Sequence, residues 1–258
     1  MNKRILLFDL DGTLLRADKT ISDRTLTAIN RCRLKGDIIG ISTSRSEKNC
    51  LSFLGDLMPD ILITSGGALV KKDKQYIYKA VFSRQRTREL IHTAREICGM
   101  NCEITIDTVD THFWNYKVNP GQLESNWGDS VWTDYSNFSE EALKMCVEIF
   151  DDEKAGCLAD VLKDCDSLRF SDGYWYKFTK KGVTKENAMS LICSTYKKTN
   201  KDIIAFGDDY ADIEMLRFAG IGVAMGNSIE EVKKVADIVI GTNEEDGIAV
   251  YLEKILEG

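Results

Sequence analysis

A doubly wound α/β core carrying an inserted α+β module is the fold class that this sequence predicts, and three observations predict it. Short runs rich in Ile, Leu and Val recur and end in turn or polar residues, the pattern of parallel strands covered on both faces. Helical patterns fall between the runs, and strand alternating with helix builds a mostly parallel sheet with helices on either side. The alternation lapses after about Ala80 and resumes near residue 183, which marks the insertion.

The core strands are expected at residues 4–10, 37–42, 61–64, 202–206, 221–225 and 238–240. Helices are expected at 22–34, with Ser22 as N-cap, and at 211–218. The core therefore comprises residues 1–80 and 183–258, and the insert 81–182 forms a cap. Within the insert an amphipathic helix is expected at 87–98, a strand at 102–107, a second helix at 139–150, and short strands at 167–170 and 174–179. An aromatic, Gly-containing stretch lies between, at 112–135.

Bulk properties narrow the function. The 258 residues allow one large domain or a core plus a module. A net charge of -7 argues against nucleic acid as a partner, because that affinity comes from clustered Lys and Arg. Eight cysteines without a Cys-x-x-Cys pair signal neither a zinc cage nor a redox motif. Asp9 and Asp11 cut the first apolar run far short of a secretory or membrane-spanning length, so the expected location is the cytoplasm, with no membrane partner.

Chemistry concentrates at strand ends. Asp9-Leu10-Asp11-Gly12-Thr13 follows the first strand and places two carboxylates at the sheet edge where open α/β folds bind ligands. One carboxylate can attack phosphorus and a neighbouring acid can serve the leaving oxygen, roles that suit Asp9 and Asp11 in turn. Read alone, the pentapeptide is equally a strand closing in an Asp-Gly turn. Asp208 and Asp212 are four apart and share a face if the helix begins promptly, and converging carboxylates call for a hard cation, for which Mg2+ is the expected cofactor. Read alone, they are an acidic helix start favoured by the dipole. Ser42-Thr43-Ser44-Arg45 offers hydroxyls and backbone N–H groups for phosphate, and Lys185 a fixed positive charge.

Taken in this order and spacing, the four segments resemble the motif set of the haloacid dehalogenase superfamily, and more closely the Cof-type sugar-phosphate phosphatases. Further similarity lies in Ser65-Gly66-Gly67-Ala68, in Val223 through Asn227 and in Thr242 through Ile248. The resemblance implies a Rossmann-like core with an α/β cap, and hydrolysis of a small phosphorylated metabolite. It implies Asp9 as nucleophile and Asp11 as general acid and base. Magnesium would be held by Asp9, the Asp11 backbone carbonyl and Asp208, with Asp212 in support. Phosphate would be held by Thr43, Lys185 and the backbone around Leu10 and Ser44. Two positions depart from the family pattern: Ser44 stands where Gly is usual, and Ala211 where Asn is usual.

Other readings are a phosphotransferase similar to the phosphomannomutases, which share the core, and a non-catalytic sensor of a phosphorylated metabolite, motivated by Ala211. The Gly220 to Gly226 stretch misses the dinucleotide fingerprint. Only His92 and His112 occur, which argues against a Ser-His-Asp hydrolase, and both are expected at the surface of the insert. Trp114, Tyr116, Trp127, Trp132 and Trp175 are expected to form a small core there rather than a sugar-binding face.

Overall fold

β1 (Ile5–Phe8) is entirely apolar because both of its faces are covered. In chain order it is followed by α1 (Asp23–Leu34), β2 (Ile38–Ser42), α2 (Glu47–Leu51), β3 (Ile61–Thr64), β4 (Leu69–Lys72) and β5 (Gln75–Lys79). Next come α3 (Arg84–Cys98), β6 (Ile104–Asp107), β7 (His112–Trp114), β8 (Ser130–Trp132), β9 (Lys144–Glu148), α4 (Asp152–Val161), β10 (Cys165–Arg169) and β11 (Trp175–Lys180). The chain closes with α5 (Lys185–Tyr196), β12 (Ile203–Gly207), α6 (Ile213–Phe218), β13 (Ile221–Ala224), α7 (Glu230–Val235), β14 (Ile238–Val239) and α8 (Gly247–Glu257). The computed structural model describes residues 3–116, 130–171 and 173–257.

Eight strands form the first sheet in the order β14-β13-β12-β1-β2-β3-β4-β5. All neighbours are parallel except β3–β4 and β4–β5, which are antiparallel. The doubly wound, mostly parallel core is therefore present. Alternation along β1 sends Leu6 and Phe8 toward α1 and α8, and Ile5 and Leu7 toward α5 and α6. Phe8 stacks on Phe206 of β12 with ring centroids 4.7 Å apart. Ser22 caps α1 as expected, accepting from Thr25 N at 3.1 Å.

A second sheet of six strands, β10-β11-β9-β6-β7-β8, is antiparallel apart from the β7–β8 pair. One of its faces packs on α3 and α4 through Ile104, Ile106, Met145, Val147 and Phe178. The intervening residues, Thr105, Lys144 and Cys146 among them, face a cavity over the first sheet. The expected helix at 139–150 is corrected here: Lys144–Glu148 is a strand paired on both sides. The spacing of Phe138, Ala142 and Met145 imitates a helix stripe, but Met145 and Val147 alternate with Lys144 and Cys146 between two wet and dry layers. Among the described residues no helix is long and apolar enough to cross a membrane.

Candidate active site

Three core strands deliver the candidate residues to one edge. Asp9 follows β1, Thr43 and Ser44 follow β2, and Asp208 follows β12, so the carboxyl ends of neighbouring parallel strands meet where the order of connections reverses beside β1. The cavity above holds about 410 Å³. Asp9, Asp11, Thr43, Ser44, Lys185 and Asp212 all border it. Leu10 does not, since its side chain is buried in the core, although its carbonyl accepts from Leu14 N and Leu15 N and closes the turn.

Lys185, at the start of α5, reaches down between two acids. Its Nζ donates to Asp9 Oδ1 at 2.5 Å and to Asp212 Oδ1 at 2.7 Å. Asp212 in turn accepts from the backbone N–H groups of Asp208 and Asp209 at 3.0 and 3.2 Å, which anchors the acidic turn. Asp208 accepts from Thr13 Oγ1 at 2.7 Å. Position 12 admits no side chain, because a Cβ there would lie 2.2 Å from Asp208 Oδ2 and φ is +73°.

The electrostatics are unbalanced in a telling way. Asp9, Asp208 and Asp212 bring carboxylate oxygens within 4.8 Å of one another, and among the described residues Lys185 is the cation bonded to them. Burial, then the charges of Asp212 and Asp208, drive the Asp9 carboxyl well above its ordinary range despite Lys185. Burial, then Asp212, pushes Asp208 up to about 8. Oxygen donors crowded until they resist ionisation fit a hard divalent cation, and the hard, all-carboxylate set suits magnesium.

Asp11 stands apart from this group. Its side chain accepts from Arg45 Nε at 2.6 Å, a second Arg45 nitrogen at 2.8 Å and Lys19 Nζ at 2.8 Å. Burial works to raise its carboxyl, but the two cations outweigh it and hold the group at about 2. Thr43 Oγ1 accepts from Arg45 N at 3.1 Å, and Ser44 Oγ is buried without a partner.

The remaining wall comes from the second sheet and was missed by sequence reasoning. Thr105, His112, Tyr116, Lys144, Cys146, Phe170 and Trp175 line it. His112 is corrected from surface to interior: it is 4% exposed. The aromatic residues are corrected in part: Trp114 and Tyr116 are buried as expected, but Tyr116 and Trp175 also border the cavity. Trp114, Tyr116 and Trp175 pack in series at tilts of 56° and 52°, with centroids 4.7 and 5.4 Å apart, outside the module's main core. Trp132 is half exposed, and Trp127 lies outside the described residues. His92, by contrast, is exposed on α3, as expected.

The sequence profile of the haloacid dehalogenase-like hydrolases matches residues 6–252. The chain belongs to that family. Within it the enzyme is a Cof-type phosphatase, and comparisons with individual proteins agree over nearly its full length. The 5-amino-6-(5-phospho-D-ribitylamino)uracil phosphatase YitU of Bacillus subtilis (strain 168) is 29% identical over 270 residues, covering 97% of this chain and 96% of its own. The subclass IIB sugar phosphatase BT4131 superposes on the phosphatase with a TM-score of 0.84 at 26% identity, covering 98% and 99% of the two chains. BT1666 from Bacteroides thetaiotaomicron, a phosphatase of the same superfamily, gives 0.82 at 28% identity, covering 98% and 94%.

Proposed function

We propose that this phosphatase hydrolyses phosphate monoesters of small hydroxylated metabolites, sugar phosphates foremost, with magnesium as cofactor and Asp9 as the nucleophile. The observation that carries the reading is the convergence of Asp9, Asp208 and Asp212, with Lys185 bridging Asp9 and Asp212 beside a cavity of metabolite size. Residues 1–80 and 183–258 act as the catalytic core, and residues 81–182 as the cap that encloses the substrate. Two similar proteins, a sugar phosphatase and a phosphatase of a phosphoribityl compound, support the substrate class.

In the first step an Asp9 oxygen attacks phosphorus as the bond to the leaving oxygen breaks, and Asp11 gives that oxygen its proton. In the second, Asp11 takes a proton from water, which attacks phosphorus and releases phosphate from Asp9. Asp11 paired with Arg45 and Lys19 is in the form suited to the second step. The first step therefore requires one of those cations to shift toward the incoming phosphate. Lys185, Thr43 and the N–H groups around Leu10 and Ser44 hold the phosphoryl oxygens. Asp9, Asp208 and Asp212, with the Asp11 carbonyl, would hold magnesium, which when bound offsets the carboxylate and phosphoryl charges as a Lewis acid.

The test is release of phosphate from p-nitrophenyl phosphate with and without magnesium, by wild type and Asp9→Asn. Activity that needs the metal and disappears in the variant supports the reading. Equal rates for the two proteins refute the role of Asp9.

A further inference from the structure

Strand register brings three charged or titratable side chains together on the cavity face of the second sheet. Asp107 on β6 pairs with Lys144 of β9 on one side and His112 of β7 on the other. The Asp107 carboxylate is fully buried. One oxygen lies 2.6 Å from His112 Nδ1, and the other receives Lys144 Nζ at 2.9 Å and Ser65 Oγ at 2.9 Å.

A carboxylate only accepts, so the ring proton sits on Nδ1. In the neutral ring this arrangement leaves Nε2 as an acceptor. That atom is buried and has no partner, and the ring borders the cavity. A buried acceptor without a donor is costly unless a ligand supplies one.

Two further orphaned atoms border the same cavity, Ser44 Oγ and Asn49 Oδ1. The cations along the wall are committed, Lys144 to Asp107 and the Ser44 carbonyl, and Arg45 to Asp11. Tyr116 and Trp175 add apolar faces. Such a wall suits a neutral, polyhydroxylated leaving group better than a second anionic one.

We infer that His112, oriented by Asp107, selects hydroxylated leaving groups by accepting a hydroxyl hydrogen at Nε2. This rests on the phosphatase reading above and assigns the residue that reads the alcohol. His112 is the specificity-determining residue, and Asp107 positions it by fixing the tautomer. The Asp107→Asn variant makes the distinction sharp. Lys144 requires the amide oxygen on its side, which turns the amide N–H toward Nδ1 and moves the ring proton to Nε2.

The experiment compares kcat/KM for p-nitrophenyl phosphate with that for hexose and pentitol phosphates and their monodeoxy analogues. His112→Phe is expected to lose about 10- to 100-fold more on the hydroxylated esters than on the aryl ester. Equal losses on both, or none on either, overturn the inference. Asp107→Asn, followed by imidazole 15N NMR, which is simple in a chain with two histidines, is expected to move the proton to Nε2 and to erase discrimination against deoxy analogues. An unchanged tautomer or unchanged discrimination overturns it even if the Phe variant fails to fold. Wild type inactive on every ester, the aryl one included, defeats the phosphatase reading itself. Wild type active on the aryl ester without preference for hydroxylated esters defeats only the role of His112.

Discussion

Nζ of Lys185 stands 2.5 Å from Oδ1 of Asp9 and completes a cross-link from the first strand of the chain to the first helix after the second sheet. Because the same ammonium serves Asp212, it is, among the described residues, the one cation bonded to two of the three clustered acids. Removing it strands buried charge, a loss that typically costs about 3–5 kcal/mol. Lys185→Met is expected to lose phosphatase activity and to unfold at lower urea concentration. Added magnesium is expected to recover part of that stability by binding the folded state alone. A variant as stable as wild type in metal-free buffer would show the ammonium to be dispensable.

Gly12→Ala tests the packing around Asp208. The added methyl group would meet the carboxylate at 2.2 Å on a backbone with φ +73°, so either the turn or the acid must move. Magnesium binding measured by calorimetry is expected to weaken about tenfold or more. Undiminished affinity would mean that Asp208 does not hold the ion.

Lys144 sets the acid limit of the second sheet. Burial alone would raise the Asp107 carboxyl, but Lys144 and His112 outweigh it and hold the group at about 2, against an ordinary 3.8. Its folded value is depressed, so its stabilising contribution is present above about pH 4 and is lost as pH falls toward 2. Lys144→Met removes the main opposing charge. The pH at which stability begins to fall, followed by urea unfolding between pH 2 and 6, is expected to move upward by about one unit or more.

Lys177 gives the opposite sign. It is buried, reaches toward Gly66, and has no ion-pair partner among the described residues. Burial, then Lys185 and Lys144, push its ammonium down to about 8 from 10.5. Between those values the unfolded chain binds more protons, so stability rises with pH across that window, and below it the whole penalty is present. Lys177→Met is expected to be more stable than wild type at pH 7, by up to about 3 kcal/mol. The advantage should shrink as pH climbs from 8 toward 10.5, and an advantage independent of pH would assign it to packing instead.

The core was legible because its strands are covered on both faces and so appear as unbroken apolar runs. Ile61–Thr64 fell where expected, and the other core strands came within a few residues. The β4–β5 hairpin was not legible: it carries Lys71, Lys72, Gln75 and Tyr76 at an exposed edge, with no apolar run to mark it. The acids and Lys185 could be picked out because each sits just past a strand or at a helix start. The cavity wall from the second sheet could not. Asp107, His112 and Lys144 become neighbours only through the registers of β6 with β7 and β9, and β9 itself imitates a helix. A pattern within one strand says which side chains share a face, not which strand lies beside it.

The pairing of Ile5 with Ile203 carries a consequence for biogenesis. β1 leaves the ribosome almost 200 residues ahead of the strand that completes one of its edges. At ordinary elongation rates of about 5–20 residues per second, that is a wait of roughly 10 to 40 seconds. Through that interval one flank of a wholly apolar strand lacks its partner. The sheet edge that carries Asp9 therefore gains its second flank only when Ile203–Gly207 has been made.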